Sequence, residues 1–76
     1  MNTPLRKQFG STVKAMRLDT GMSQEAFADR CGFARSYMSR LERGNANPSL
    51  DAIEKLATAF EVDVSELFTI QVKSAK

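Results

Sequence analysis

Apolar residues recur three and four positions apart in several stretches of this chain, and short polar or glycine-bearing breaks separate them. That spacing is helical. Phe9, Val13, Ala15 and Met16 predict a first helix from about Pro4 to Leu18, with Thr3 as cap and Asp19-Thr20-Gly21 as stop. Pro4 suits the first turn, where its missing N–H is no loss. Ser23 caps a second helix, Gln24 to about Arg30, and Glu25 sits favourably in its first turn. Cys31-Gly32-Phe33 forms the turn that follows, glycine tolerating positive φ. A third helix runs from about Arg35 to Arg43 and ends in Gly44-Asn45-Ala46-Asn47-Pro48. Ser49 caps a fourth, Leu50 to Phe60, with Leu50, Ile53, Leu56, Ala57 and Phe60 on one stripe. Val62-Asp63-Val64 leads to a short fifth helix capped by Ser65 and carrying Leu67 and Phe68; beyond about Ile70 the pattern frays.

With neither strand-like alternation nor a repeat, the expected fold is all-α, a compact domain of five helices. Its predicted core is Phe9, Val13, Met16, Phe27, Ala28, Met38, Leu41, Leu50, Ile53, Leu56, Ala57, Phe60, Val64 and Leu67. Residues 24–43 carry more than a fold. Ala28, Gly32, Met38 and Leu41 stand where a helix-turn-helix needs a small residue, a glycine and two inward apolar residues. Between them lie Arg35, Ser36, Tyr37, Ser39 and Arg40, polar residues that a packed core does not require. In such a motif the second helix is the one that enters the major groove of DNA.

Charge supports that direction. The net charge of +2 is uneven: residues 1–45 hold eight basic and four acidic side chains, and residues 46–76 hold three and five. A basic half suggests a polyanion-binding face. A length of 76 residues predicts one domain over 1–76. Cys31 is the only cysteine and there is no histidine, which removes disulfides and a structural zinc site. Cys31 reads as a small, half-buried hydrophobe. Neither a bilayer-spanning apolar run nor a leader-like N-terminus is present, so a soluble cytoplasmic protein is expected, with no membrane partner. An enzyme is disfavoured: there is no glycine-rich phosphate loop and no convergent carboxylate cluster. No catalytic residue, metal, cofactor or small-molecule ligand is expected.

Arg17, Gly21-Met22-Ser23-Gln24-Glu25, Ala28, Gly32, Arg35-Ser36, Leu41-Glu42-Arg43-Gly44, Asn47-Pro48-Ser49 and Leu56 together resemble the Cro/lambda-repressor-like helix-turn-helix family, also called the XRE family, over roughly residues 9–68. The resemblance implies a sequence-specific transcriptional regulator. It assigns base reading to Arg35 and Ser36, with Tyr37, Ser39 and Arg40 beside them, and phosphate contacts to Gln24, Arg43, Asn45 and Asn47. Gln24 also braces the start of the recognition helix in relatives. An arginine late in the first helix pairs there with the glutamate of the Leu-Glu-Arg-Gly run, which carries over here to Arg17 and Glu42. One position departs from the pattern: Ala34 stands where a capping Ser, Thr or Asp is common, and it cannot cap.

Members of this family bind as homodimers to pseudo-palindromic operators. The region 60–70 has apolar residues to spare for an interface: Phe60, Val62, Val64, Leu67, Phe68 and Ile70. Arg35-Ser36-Tyr37-Met38-Ser39 looks particularly like the controller proteins of restriction–modification systems, which implies autoregulation in a prokaryotic or phage-encoded setting. Glu25 and Asp29 occupy positions where related activators face RNA polymerase. The alternatives are a phage Cro-type repressor or an antitoxin-type regulator with a protein partner, though few residues remain after the fifth helix to hold one.

Overall fold

A computed structural model describes residues 4–69. Four α-helices, α1 (Leu5–Thr20), α2 (Gln24–Cys31), α3 (Arg35–Glu42) and α4 (Leu50–Phe60), precede a 3-10 helix, Val64–Phe68. No strand occurs among the described residues. The fold is all-helical as expected, but the fifth helix is a single 3-10 segment. Asp63 holds its N-cap position without a side-chain hydrogen bond, and the predicted cap, Ser65, lies inside it. Five residues close only short i→i+3 bonds here, such as Glu66 N–H to Asp63 O at 3.0 Å, so an α-helical cap has no turn to serve.

α4 and the starts of α2 and α3 fall where expected, and the remaining boundaries shift by one or two residues. Pro4 sits at the N-cap of α1 and not within its first turn, and Thr3 lies outside the described residues. Asp19 and Thr20 remain helical, with Thr20 Oγ1 donating to the Arg17 carbonyl at 2.6 Å; the helix stops at Gly21, φ +79°. Ser23 and Ser49 cap α2 and α4 as predicted, each Oγ accepting an amide three residues on at 3.0 Å. Such a cap contributes about 1 kcal/mol. α3 stops at Glu42, one residue early, because Gly44 at φ +81° lets Asn45 N–H reach the Arg40 carbonyl at 2.8 Å. That paired closure of a helix end is a Schellman motif. α2 ends the same way at Gly32, and α4 at Glu61, a non-glycine residue at φ 59°.

One core lies between these helices. Phe9, Val13, Phe27, Ala28, Cys31, Met38, Leu41, Ala46, Leu56, Ala57 and Leu67 are buried, with Met16, Ile53 and Phe60 partly covered. The ring of Phe27 stacks on Phe60 with centroids 4.4 Å apart, and Phe9 tilts against Phe68 at 5.0 Å. Two predicted core residues are outside it: Leu50 is 83% exposed and Val64 41% exposed. Leu50 lies about 20° around α4 from buried Ala57, but it is the first residue of the helix, about two turns away from Ala57, and its side chain projects past the core. Val64 shares the Leu67 face of the 3-10 helix, where residues three apart eclipse, but as the first residue of that helix it stays at its open edge. Cys31 is buried more fully than the half-burial expected, because it closes α2 against the core.

α1 meets the end of α3 at Gly10. A Cβ there would collide with the Leu41 carbonyl oxygen and lie 2.9 Å from that of Glu42. Thr12, also buried, holds its Oγ1 3.0 Å from the Gln8 carbonyl and 3.2 Å from the Thr69 carbonyl, which ties α1 to the end of the 3-10 helix.

Candidate nucleic-acid interface

At about 100° per residue, positions 35, 36, 39 and 40 of α3 and its C-cap, 43, share one side, and Met38 and Leu41 point the other way. The structure follows that division. Met38 and Leu41 are buried, whereas Arg35, Ser36, Arg40 and Arg43 are exposed and Ser39 is half-buried beside them. The core therefore holds α3 by its apolar stripe and leaves a row of arginines and hydroxyls free. Ala28, buried on α2, and Gly32, at φ +79° in the turn, set how α2 and α3 meet. A side chain larger than alanine at position 28 would push the helices apart.

Tyr37 does not join the exposed row. It lies half-buried on the flank of α3, its ring edge-on to Phe33 with centroids 5.0 Å apart. Arg40 places its guanidinium carbon 5.6 Å from the centre of the same ring. A cation over an aromatic face is attracted by the ring quadrupole, so Tyr37 is a shelf that orders Arg40. Ala34 at the N-cap of α3 has backbone angles φ −69°, ψ 146°, the conformation of a capping residue, but supplies no side-chain hydrogen bond.

Behind the row, the structure brings Arg17 and Glu42 together. Arg17 Nε donates to Glu42 Oε2 at 2.7 Å and Nη2 to Oε1 at 3.1 Å, while Nη1 donates to the Met22 carbonyl at 2.9 Å. Only 9% of the Arg17 side chain and 2% of the Glu42 side chain is exposed. The hydrogen bond to Glu42 raises the Arg17 pKa; burial works against it, and the Glu42 charge adds to it. Gln24 joins this pair, donating from Nε2 to Glu42 Oε1 at 3.0 Å. Its brace is thus to the end of the recognition helix and not to its start, because the carboxylate there offers an acceptor and Ala34 and Arg35 offer none. Among the described residues no buried side-chain polar atom lacks a partner.

The remaining predicted residues fall on different surfaces. Asn45 is exposed just past α3. Asn47 lines a cleft of about 170 Å³ with Leu5, Arg6, Phe9, Pro48, Ile53 and Phe68. Glu25 and Asp29 are both exposed on α2. Of the residues expected at an interface, Leu67 is fully buried and belongs to the core alone, since it is the one side chain of the 3-10 helix that reaches inward. Phe60 and Val62 are half-buried, Val64 and Phe68 are exposed, and Ile70 lies outside the described residues. Cys31 is buried beside Arg30; burial pushes its thiol up to about 11, with the Arg30 charge opposing, so the reactive thiolate is scarce at neutral pH.

Sequence reading missed four contributors: Gly10, Thr12, Ala46 and the Gln24–Glu42 bond. Only Gly10 left a signal, a glycine inside a helical pattern.

Comparison with known proteins places this geometry. The sequence profile of the helix-turn-helix domain family matches residues 8–68. Control protein C.BamHI of Bacillus amyloliquefaciens is 43% identical over 68 residues, which cover 88% of this chain and 84% of that one. Control protein C.MunI of a Mycoplasma species is 36% identical over 66 residues, covering 86% and 89%. The crystal structure of the restriction–modification controller protein C.AhdI from Aeromonas hydrophila superposes with a TM-score of 0.79 at 44% identity, over 82% of this chain and 94% of that one.

Proposed function

Since this chain belongs to the XRE-type helix-turn-helix family of DNA-binding transcriptional regulators, we propose that it works as a homodimeric controller protein, reading a pseudo-palindromic operator through α3. The observation that carries the reading is the exposed row on α3, which has no part in the core. Arg35 and Ser36 lie at the N-terminal end that points into the groove, and Ser39 and Arg40 follow one turn on. A guanidinium matches O6 and N7 of guanine with two hydrogen bonds, worth about 1–3 kcal/mol of base discrimination. Tyr37 supports Arg40. Gln24, Arg43, Asn45 and Asn47 hold phosphates, which fix register and supply salt-dependent affinity.

Two copies are needed because one domain contacts too few base pairs to select a site. Recognition helices in a dimer reach successive major grooves about 34 Å apart. Leu50, Val64 and Phe68, exposed and apolar, support an interface on the face formed by the start of α4 and the 3-10 helix. Relatives named as restriction–modification controllers support autoregulation of a small operon in a prokaryotic cytoplasm. Exposed Glu25 and Asp29 support contact with RNA polymerase when the dimer activates. No chemistry is catalysed in this reading, and no helix among the described residues is long and apolar enough to cross a membrane.

A footprint on DNA upstream of the protein's own gene tests it. Arg35→Ala should relax preference at one base position per half-site, whereas Arg43→Ala should weaken all sequences alike and flatten the log–log salt dependence by about one phosphate. Equal loss on every sequence for Arg35→Ala removes it from base reading. An absent footprint for the wild-type protein removes the operator itself.

A further inference from the structure

The geometry points to Glu42 as a positioning residue for the DNA backbone contact, acting through Gln24; this rests on the DNA-binding reading above. Glu42 is the last residue of α3 and its side chain is 2% exposed, out of reach of DNA, yet its Oε1 accepts from both Arg17 Nη2 and Gln24 Nε2. A carboxylate only accepts hydrogen bonds. Gln24 must therefore turn its nitrogen, and not its carbonyl oxygen, toward Glu42. One of the two Nε2 hydrogens is thereby consumed, and the other remains to be donated outward from the first turn of α2. A phosphate oxygen is likewise an acceptor only, so that second hydrogen is the part of Gln24 it can use. Arg17 completes the device: two of its nitrogens clamp the carboxylate, and a third is fastened to the Met22 carbonyl two residues before Gln24. Without the carboxylate nothing fixes which end of the amide faces outward, and the carbonyl oxygen, which a phosphate cannot use, competes for that place.

The test is a double-mutant cycle on the full chain. Its readout is the Kd for a short mixed-sequence duplex at low salt, measured below the melting transition of every variant. Glu42→Gln should weaken binding about threefold to tenfold when Gln24 is present, the range a single hydrogen bond supports. In a Gln24→Ala background the same change should weaken it less than twofold. Equal loss in both backgrounds, or no loss in either, overturns the proposal and leaves Glu42 a scaffold residue. A wild-type protein that fails to bind the duplex overturns the DNA-binding reading and this one with it. If Glu42→Gln does not fold, the Gln24 side-chain amide in the wild-type protein decides by NMR. One hydrogen should be protected from exchange in the free protein and the other should shift on adding the duplex; two equally exchanging hydrogens, or a second one that DNA leaves unmoved, overturn it.

Discussion

Arg17 and Glu42 stand 25 residues apart in sequence and form the tightest polar contact in the core. Removing one partner strands the other as a buried charge, so Glu42→Ala should cost about 3–5 kcal/mol. In a chain of this length each kcal/mol moves the melting temperature by about 4–8 °C. An unchanged thermal melt would show that the pair contributes nothing. Gly10→Ala is a sharper test of packing. Alanine is the better helix former by about 1 kcal/mol, but its Cβ meets the Leu41 and Glu42 carbonyls, which are backbone and cannot rotate away. Overpacking of this kind costs about 1–3 kcal/mol, and a chemical-denaturation midpoint that falls despite the gain in propensity is the expected result. The pair was legible only through family resemblance, because no periodicity links two charges on different helices. Gly10 was legible as an anomaly, without its cause.

Among the α-helices, α3 has the least local support. Eight residues form an isolated helix poorly, and this one lacks a side-chain cap at its start. Its position is held by Met38 and Leu41 beneath and by the Schellman closure at Gly44. Ala34 already has the backbone angles of a capping residue, so Ala34→Ser should raise stability by about 1 kcal/mol, read as an upward shift in melting temperature. No shift would mean that the helix start is already satisfied. α2 and α4 carried their signals openly: a serine cap, an apolar stripe and, after α2, a glycine. The last helix did not. Leu67 and Phe68 suggested helical burial, but the segment is a five-residue 3-10 helix that buries Leu67 alone.

At the scale of the whole molecule the open surface matters most. Leu50 touches little within its own chain at 83% exposure, so Leu50→Glu leaves the monomer's stability nearly unchanged. It should therefore report on the dimer alone: sedimentation shifts toward monomer, and affinity for a two-half-site duplex falls while affinity for a single half-site holds. Unaltered sedimentation would move the interface elsewhere. Phe68 is a poorer probe, since it also packs against Phe9. The sequence by itself determined the helices with strong caps, the helix-turn-helix block and the split of α3 into an apolar stripe and a polar row. Those features depend on neighbours three or four residues apart, and their physics is local. Only the tertiary structure decided that Leu50 and Val64 face outward, that Leu67 belongs to the core, that Gly10 is a contact point and that Gln24 hangs from Glu42. Each of these depends on which helix lies opposite, and distance along the chain does not encode it.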